Sequence, residues 1–330
     1  KLQDLSDKFG EKLAKLTEDI YKMSGMEFNI NSPKQLGEVL FEKLGLPVIK
    51  KTKTGFSTNA EVLEKLRPKH PIIEKILEYR SLMKLKSTYA DGLLALVNKD
   101  TGKIYTSFNQ TVTSTGRISS TEPNLQNIPV KTEEGKHIRG VFTAEDRDHV
   151  LLSGDYSQIE LRVLAHISGD PSLIEAFVEN QDIHTRTASE VFGVKIEEVT
   201  PLLRDRAKAV NFGIVYGISD FGLAKRLDIS NREAQDYIDA YFDRYPGVRD
   251  YVRETIKRAR EKGYVTTLFN RRRYIPDIDN RNYHLRSFAE RTAMNTPIQG
   301  TAADIIKIAM VNVYRHLKKN KLKTKLILQV

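Results

Sequence analysis

Apolar residues recur at three- and four-residue intervals through most of this chain, and that spacing commits it to amphipathic helices packed on shared cores. Leu2, Leu5, Phe9, Leu13, Leu16, Ile20 and Met23 mark the first helix. Asn29, Asn31, Ser32 and Pro33 form a start signal for a second, over 35–44. Ile72, Ile73, Ile76, Leu77, Leu82 and Leu85 face inward on a third, from about Pro71 to Tyr89. Residues 50–57 between them read as a basic loop. From 158 to 291 the pattern is again mostly helical, punctuated by Pro246, Gly263 and Pro276. A helix over 283–295 is expected to stop at Pro297, and another to run from Thr301 to about Leu317.

Residues 101–150 break this rhythm. Ile104, Tyr105, Thr106, Phe108 and residues 111–113 read as strand, and 124–129 as loop. Residues 150–153 read as a short buried strand with a helix close behind it. Residues 265–269 and 273–275 read as hairpin arms, and 322–330 as a last strand. The class expected is α+β, mostly helical.

A length of 330 residues implies more than one core. With no cysteine, a disulfide scaffold, a thiol nucleophile and a Cys-ligated zinc site are excluded. No apolar run reaches the ~20 residues that a membrane-spanning helix needs, and no membrane role is expected. The net charge of +10 permits a polyanionic partner without naming one.

Several clusters bear on chemistry. In Asp155-Tyr156-Ser157-Gln158-Ile159-Glu160 a strand ends in a carboxylate and a helix begins within three residues. Such a carboxylate can hold Mg²⁺ beside substrate phosphates, or simply cap a turn or helix. Arg204, Lys208, Phe212 and Tyr216 recur at four-residue spacing on one helix face. Two cations suit a triphosphate and two aromatics suit a base, although a solvated stripe running into core aromatics would look the same. Gly213 and Gly217 allow close approach there. His184, in the first turn of a helix capped by Asp182, can donate to a phosphate, or be an ordinary surface residue.

Basic density peaks over 251–275, where eight Lys and Arg face two acids. Arg271, Arg272 and Arg273 can follow a phosphate backbone, or decorate a solvated hairpin. Lys84, Lys86, Ser87, Thr88 and Tyr89 offer donors for phosphate or minor-groove contacts. Arg291 and Asn295 lie one turn apart with Gln299 beyond, and Asn and Gln read base edges. Asn295 equally suits a helix end before Pro297.

Together these segments resemble the polymerase domain of family A DNA polymerases, the bacterial DNA polymerase I type. Residues 155–166 (DYSQIELRVLAH) resemble that family's motif A, and 204–217 (RDRAKAVNFGIVYG) its motif B. Residues 115–129 (TGRISSTEPNLQNIP) and 291–304 (RTAMNTPIQGTAAD) are further long matches. The resemblance extends over essentially the whole chain, including a thumb-like start at 28–45 and 85–89.

It implies a right hand with an antiparallel palm sheet and mainly helical thumb and fingers: thumb 1–100, palm 101–157 and 297–330, fingers 158–296. The activity implied is nucleotidyl transfer from a dNTP to a primer 3′-OH on a DNA template, in replication or repair in a bacterial cytoplasm. Asp155 would ligand two Mg²⁺, with Mn²⁺ as a substitute, and the Tyr156 carbonyl would assist. Glu160 would exclude a ribose 2′-OH. Its size disfavours a related RNA polymerase. Arg204, Lys208 and His184 would meet the triphosphate, with Gln158 nearby. Phe212 would pack on sugar and base, and Tyr216 would stand by the templating base. Arg117, Asn124, Gln126, Asn127, Arg291, Asn295 and Gln299 would join the basic clusters in holding primer–template DNA.

In the family a His-Asp-Glu tripeptide follows a strand like 326–330 (LILQV), and its Asp is the second metal carboxylate. Residues 1–330 do not include it. Two expectations follow from that: a polymerase completed by a C-terminal polypeptide that finishes the palm, or a non-catalytic fragment that binds DNA and nucleotide.

Overall fold

The computed structural model describes residues 1–53, 55–129 and 132–330. Thr54, in the 50–57 segment read as a loop, lies outside the described residues. The chain divides into two compact units. One comprises Lys1–Asn109, Ser120–Leu152 and Val330, and the other Gln110–Ser119 with Ser153–Gln329.

The first unit is organised by two helices, Leu2–Ser24 and Ile72–Leu85. Leu5, Phe9, Leu13, Leu16 and Ile20 are buried along one stripe of the first, against Ile72, Ile73, Ile76 and Leu82 of the other. Burying each of these side chains contributes about 1.5–3 kcal/mol. Met23, read as inward, is 36% exposed, and Ser24 turns in instead. The Ser32 side chain caps Pro33–Gly37, and the chain then widens into a π-helical turn, Glu38–Lys43. A second such turn, Lys86–Asp91, continues the Ile72–Leu85 helix. Lys51–Thr52 and Gly55–Phe56 pair antiparallel, so the segment read as a loop closes as a small hairpin.

The second unit is a helical body around Leu161, Leu164, Leu173, Ile183, Val210, Ile214, Leu223, Tyr241 and Tyr245. A hairpin in this unit pairs Tyr264–Thr266 with Arg272–Tyr274, close to the arms expected from sequence. The longest element, Tyr283–Lys319, runs through Pro297 without a break, contrary to the expected stop. Pro297 denies the carbonyl four residues back its usual N–H, a penalty of about 3 kcal/mol. The helix persists because Thr296, Pro297, Ile298, Gly300 and Thr301 are all buried. Tyr251 Oη also donates to the Met294 carbonyl at 3.0 Å.

Three expected strands are absent or shortened among the described residues. Residues 150–153 form no strand, and Val150 and Leu152 are 86% and 90% exposed. Residues 322–330 form none either. Of the 104–113 reading, only Ser107–Asn109 is strand. An apolar run satisfies its backbone as a strand only where a partner strand supplies hydrogen bonds, and local sequence does not name that partner. Among the described residues no helix is long and apolar enough to cross a membrane.

Candidate active site

The helix Pro201–Tyr216 begins where the Thr200 side chain accepts the Leu203 N–H and Pro201 pre-sets the first turn. Ala207, Val210, Asn211 and Ile214 are buried on its inner side. Arg204, Lys208, Phe212 and Tyr216 line the other, with Lys208 exposed and Tyr216 42% exposed. The Phe212 and Tyr216 rings stack at 6.4 Å with 19° between planes. The close approaches anticipated at Gly213 and Gly217 are internal. A Cβ on Gly213 would lie 2.5 Å from Ile218, and one on Gly217 2.8 Å from Arg291.

Gly217 ends this helix in the left-handed region, φ 66°. Gly217→Ala is expected to lower stability by about 2–4 kcal/mol, combining left-handed strain with overpacking against Arg291. Gly263 has φ +71° and nothing within 4 Å of an added Cβ. Gly263→Ala should therefore lose only the strain, about 1–2 kcal/mol. Urea unfolding of both variants measures the difference, and equal losses would remove the Arg291 contact from the account.

Glu160 lies in the first turn of Ile159–Ser168 and is 7% exposed. Gln158 precedes the helix with φ 55° and gives it no side-chain cap. Tyr216 Oη donates to Glu160 Oε2 at 2.9 Å, and Arg117 pairs with Oε1. One carboxylate therefore joins the Arg204 helix to the segment around Arg117. Burial and the neighbouring Glu160 charge push the Tyr216 phenol above its usual range.

Asp182 works in two directions. Its Oδ1 accepts the His184 and Thr185 N–H groups at 3.0 and 2.9 Å, capping Ile183–Phe192. Its Oδ2 accepts Arg204 Nε and Nη2 at 3.1 and 2.7 Å. Burial alone would raise the Asp182 carboxyl, but Arg204 and the Thr185 amide hold it below the usual range. His184 packs its ring 5.8 Å from Phe212. Burial pushes the imidazole down to about 4. His184, Arg204, Phe212, Tyr216, Glu160 and Arg117 are thus linked by contacts within one unit, with Lys208 one turn along from Arg204.

Asp155 and Tyr156 lie outside this cluster in exposed, irregular chain. Among the described residues no group of three His, Cys, Asp or Glu could hold a metal. Arg271, Arg272 and Arg273 divide among different partners. Arg271 donates to Asp304 Oδ1 through Nε and Nη2 at 2.8 and 2.6 Å. Arg273 is partly buried and donates to Thr296 Oγ1 at 3.0 Å. Arg272 is exposed, 4.2 Å above the Tyr264 ring. Arg291 donates to Ser287 Oγ at 2.6 Å, and Asn295 Nδ2 to the Val215 carbonyl at 3.3 Å. Gln299 is partly buried.

In the other unit, Lys84, Ser87 and Thr88 are exposed. Lys86 is tied to Ser6 at 2.9 Å and to Asp91 at 2.7 Å. The buried Tyr89 donates its hydroxyl to the Asn127 carbonyl. Asn124 accepts the Gln126 N–H at 3.0 Å.

The family described as DNA polymerase family A matches residues 1–330. The chain belongs to that family. It is 57% identical to DNA polymerase I of Bacillus subtilis (strain 168) over 330 residues, and 58% identical to that of Bacillus caldotenax over 331. Each alignment takes in 100% of this chain and 38% of the relative, so the chain spans well under half the length of those relatives. Among solved structures it is similar to the POL domain of Pol1 from M. smegmatis, solved in complex with DNA primer-template and dNTP. The TM-score is 0.91 at 47% identity, over 100% of this chain and 58% of the other. The α+β, right-hand polymerase class expected from sequence is therefore the class of this family A chain, mostly helical with small sheets.

Three residues of this family A chain escaped the sequence reading. Asp182 was legible as a cap but not as the partner of Arg204, 22 positions away. Asn211, a poor helix former inside a helix, was a signal for a buried side-chain bond. Asp304, a carboxylate in an apolar helical stretch, was a signal for a buried cation partner.

Proposed function

We propose that this chain performs template-directed DNA synthesis, transferring a nucleotide from a dNTP to a primer 3′-OH. The observation that carries the proposal is the face formed by Arg204, Lys208, Phe212 and Tyr216, tied through Tyr216 to the buried Glu160. A structural relative at 47% identity was solved with primer-template and dNTP, which supports the same ligands here.

Arg204 and Lys208 neutralise the triphosphate, whose charge grows on the leaving group as the bond to the α-phosphate breaks. His184 donates a hydrogen bond to the same phosphates, and Gln158 lies on the approach to them. Phe212 packs on the sugar and base, and Tyr216 stands by the templating base. Glu160 occupies the volume a ribose 2′-OH would need. Arg117, Arg291, Asn295 and Gln299 hold the end of the primer–template. Lys84, Lys86, Ser87, Thr88, Tyr89, Asn124, Gln126, Asn127, Arg271, Arg272 and Arg273 contact the duplex, with the exposed Lys84 and Arg272 meeting phosphates most directly. The thumb is assigned to 1–100, the palm to 101–157 and 297–330, and the fingers to 158–296.

An exposed carboxylate beside an exposed peptide offers hard oxygen donors. That suits a divalent ion that completes its shell with water and substrate phosphates rather than with a protein cage. Asp155 and the Tyr156 carbonyl are assigned to Mg²⁺, two ions in the full reaction, with Mn²⁺ as a substitute. When bound, such ions lower the pKa of the attacking hydroxyl and neutralise charge on the pyrophosphate.

Asp155→Asn tests this reading in the protein that carries this chain, with a labelled primer, Mg²⁺ and four dNTPs. Extension is expected to fall by about 10³-fold or more, a loss of several kcal/mol of transition-state stabilisation. Primer–template affinity should survive. Extension within about twofold of the parent rate would remove Asp155 from the ion site.

A further inference from the structure

His184 opens its helix, yet it is only 4% exposed. Its Nδ1 lies 3.1 Å from the side-chain amide nitrogen of Asn211, which is fully buried. An amide NH₂ group only donates, so the ring nitrogen facing it must accept. Thr187 Oγ1 lies beside the same amide, 3.1 Å from its nitrogen and 3.2 Å from its oxygen. That hydroxyl is 3.5 Å from Tyr245 Oη, which donates to Glu190 Oε2 at 2.6 Å. Glu190 in turn is held by Arg186 at 3.1 Å and Arg244 at 2.8 Å. A buried, fully partnered chain of bonds therefore ends on one nitrogen of the imidazole.

We propose that Asn211 is a positioning residue that holds His184 as the neutral imidazole with its single proton on Nε2, so that the ring offers the triphosphate a hydrogen-bond donor without a charge. The role toward the triphosphate rests on the proposed function, whereas the tautomer does not. Positive charge then comes from Arg204 and Lys208, and the imidazole contributes direction.

The surroundings agree with a neutral ring. Burial is the largest influence and lowers its pKa. Asp182 and Asp205 oppose that, while Arg204 and Lys208 reinforce it. Phe212 brings no charge to the ring face. Of the other elements packed on this helix, Pro171–Val178 contributes Glu175, engaged with Arg186 at 2.7 Å. Asn231–Arg244 and the residue after it contribute Arg244 and Tyr245, both engaged with Glu190. The short turn Ile196–Glu198 contributes Glu198, which accepts the Lys195 N–H at 3.2 Å. Asp182 and Asp205 are therefore the acids that favour an imidazolium, and burial outweighs them.

Long-range proton–nitrogen NMR spectra of the ¹⁵N-labelled chain test the tautomer, with the His184 signals identified by their loss in His184→Gln. The expected result is a protonated Nε2 and a bare Nδ1, unchanged from about pH 5.5 to about 8.5. A proton on Nδ1, or a ring that titrates near ~6.5, would overturn the proposal. Asn211→Asp replaces the donor with an acceptor. It should put a proton on Nδ1 as well as Nε2, charge the ring at neutral pH, and make dNTP binding pH-dependent where the parent's is flat. Asn211→Ala removes the donor without adding charge, and should leave the two tautomers mixed. Retention of the parent tautomer in either folded variant would overturn the role of Asn211. If the tautomer is as stated but His184→Gln leaves dNTP affinity unchanged, the triphosphate reading of His184 fails and the tautomer stands.

Discussion

Lys208→Ala is expected to lower the efficiency of dNTP use by about a hundredfold while leaving primer–template affinity nearly unchanged. Lys208 is the exposed cation of the Arg204 helix, one turn from an arginine already fixed by Asp182. A charge aimed at a leaving group gains strength as the transition state forms, and losing one such interaction costs about 2.7–4 kcal/mol. The contrast with Arg204 is informative. Arg204→Ala would also strip Asp182 of its cation, leaving the exposed carboxylate that caps the start of the His184 helix without its partner. Its effect should mix lost charge with a loosened helix start, whereas Lys208→Ala isolates the charge. Single-turnover kinetics against dNTP concentration, beside a DNA-binding titration, measure the difference. Equal losses in both would contradict the assignment of Lys208 to the triphosphate.

Glu160→Ala should raise the use of rNTPs relative to dNTPs by at least about tenfold, because discrimination built on a clash is lost with the clashing group. The variant should also slow overall synthesis. Tyr216 and Arg117 both use Glu160 as an acceptor, and since both are open to solvent each lost hydrogen bond costs about 0.5–1.5 kcal/mol. Glu160→Gln separates the two effects. It keeps the volume and one acceptor oxygen but loses the charge beside Arg117, so sugar discrimination should persist while the rate falls. An unchanged rNTP/dNTP ratio in Glu160→Ala would contradict the steric role. Relaxed discrimination in Glu160→Gln would point to charge instead of size.

What could be read from sequence followed the range of the forces involved. The Arg204, Lys208, Phe212 and Tyr216 face was legible because a four-residue repeat is a local property of the helix. So were the caps at Ser32 and Asp182, each set within three residues. The strands at 150–153 and 322–330 were misread because an apolar run says nothing about whether a partner strand is present. The expected stop at Pro297 failed for the opposite reason: burial on several sides outweighed a local penalty. The Arg271, Arg272 and Arg273 run looked uniform in sequence, but Asp304 and Thr296 engage two of its members. Those partners lie 33 and 23 positions away, beyond any local pattern. The network from Asn211 to Glu190 was invisible for the same reason, although a buried helical Asn gave a hint.

The central claim is that nucleotide choice on the Arg204 helix is dictated by a template. The most direct test is ternary-complex formation by the 330-residue chain on a dideoxy-terminated primer–template, for each of the four templating bases with each of the four dNTPs. Because the primer cannot be extended, selection is measured apart from chemistry. The account predicts that only the complementary dNTP stabilises the complex for each template, and that Lys208→Ala weakens all four correct pairs alike. Equal stabilisation by every dNTP, or none by any, would contradict it.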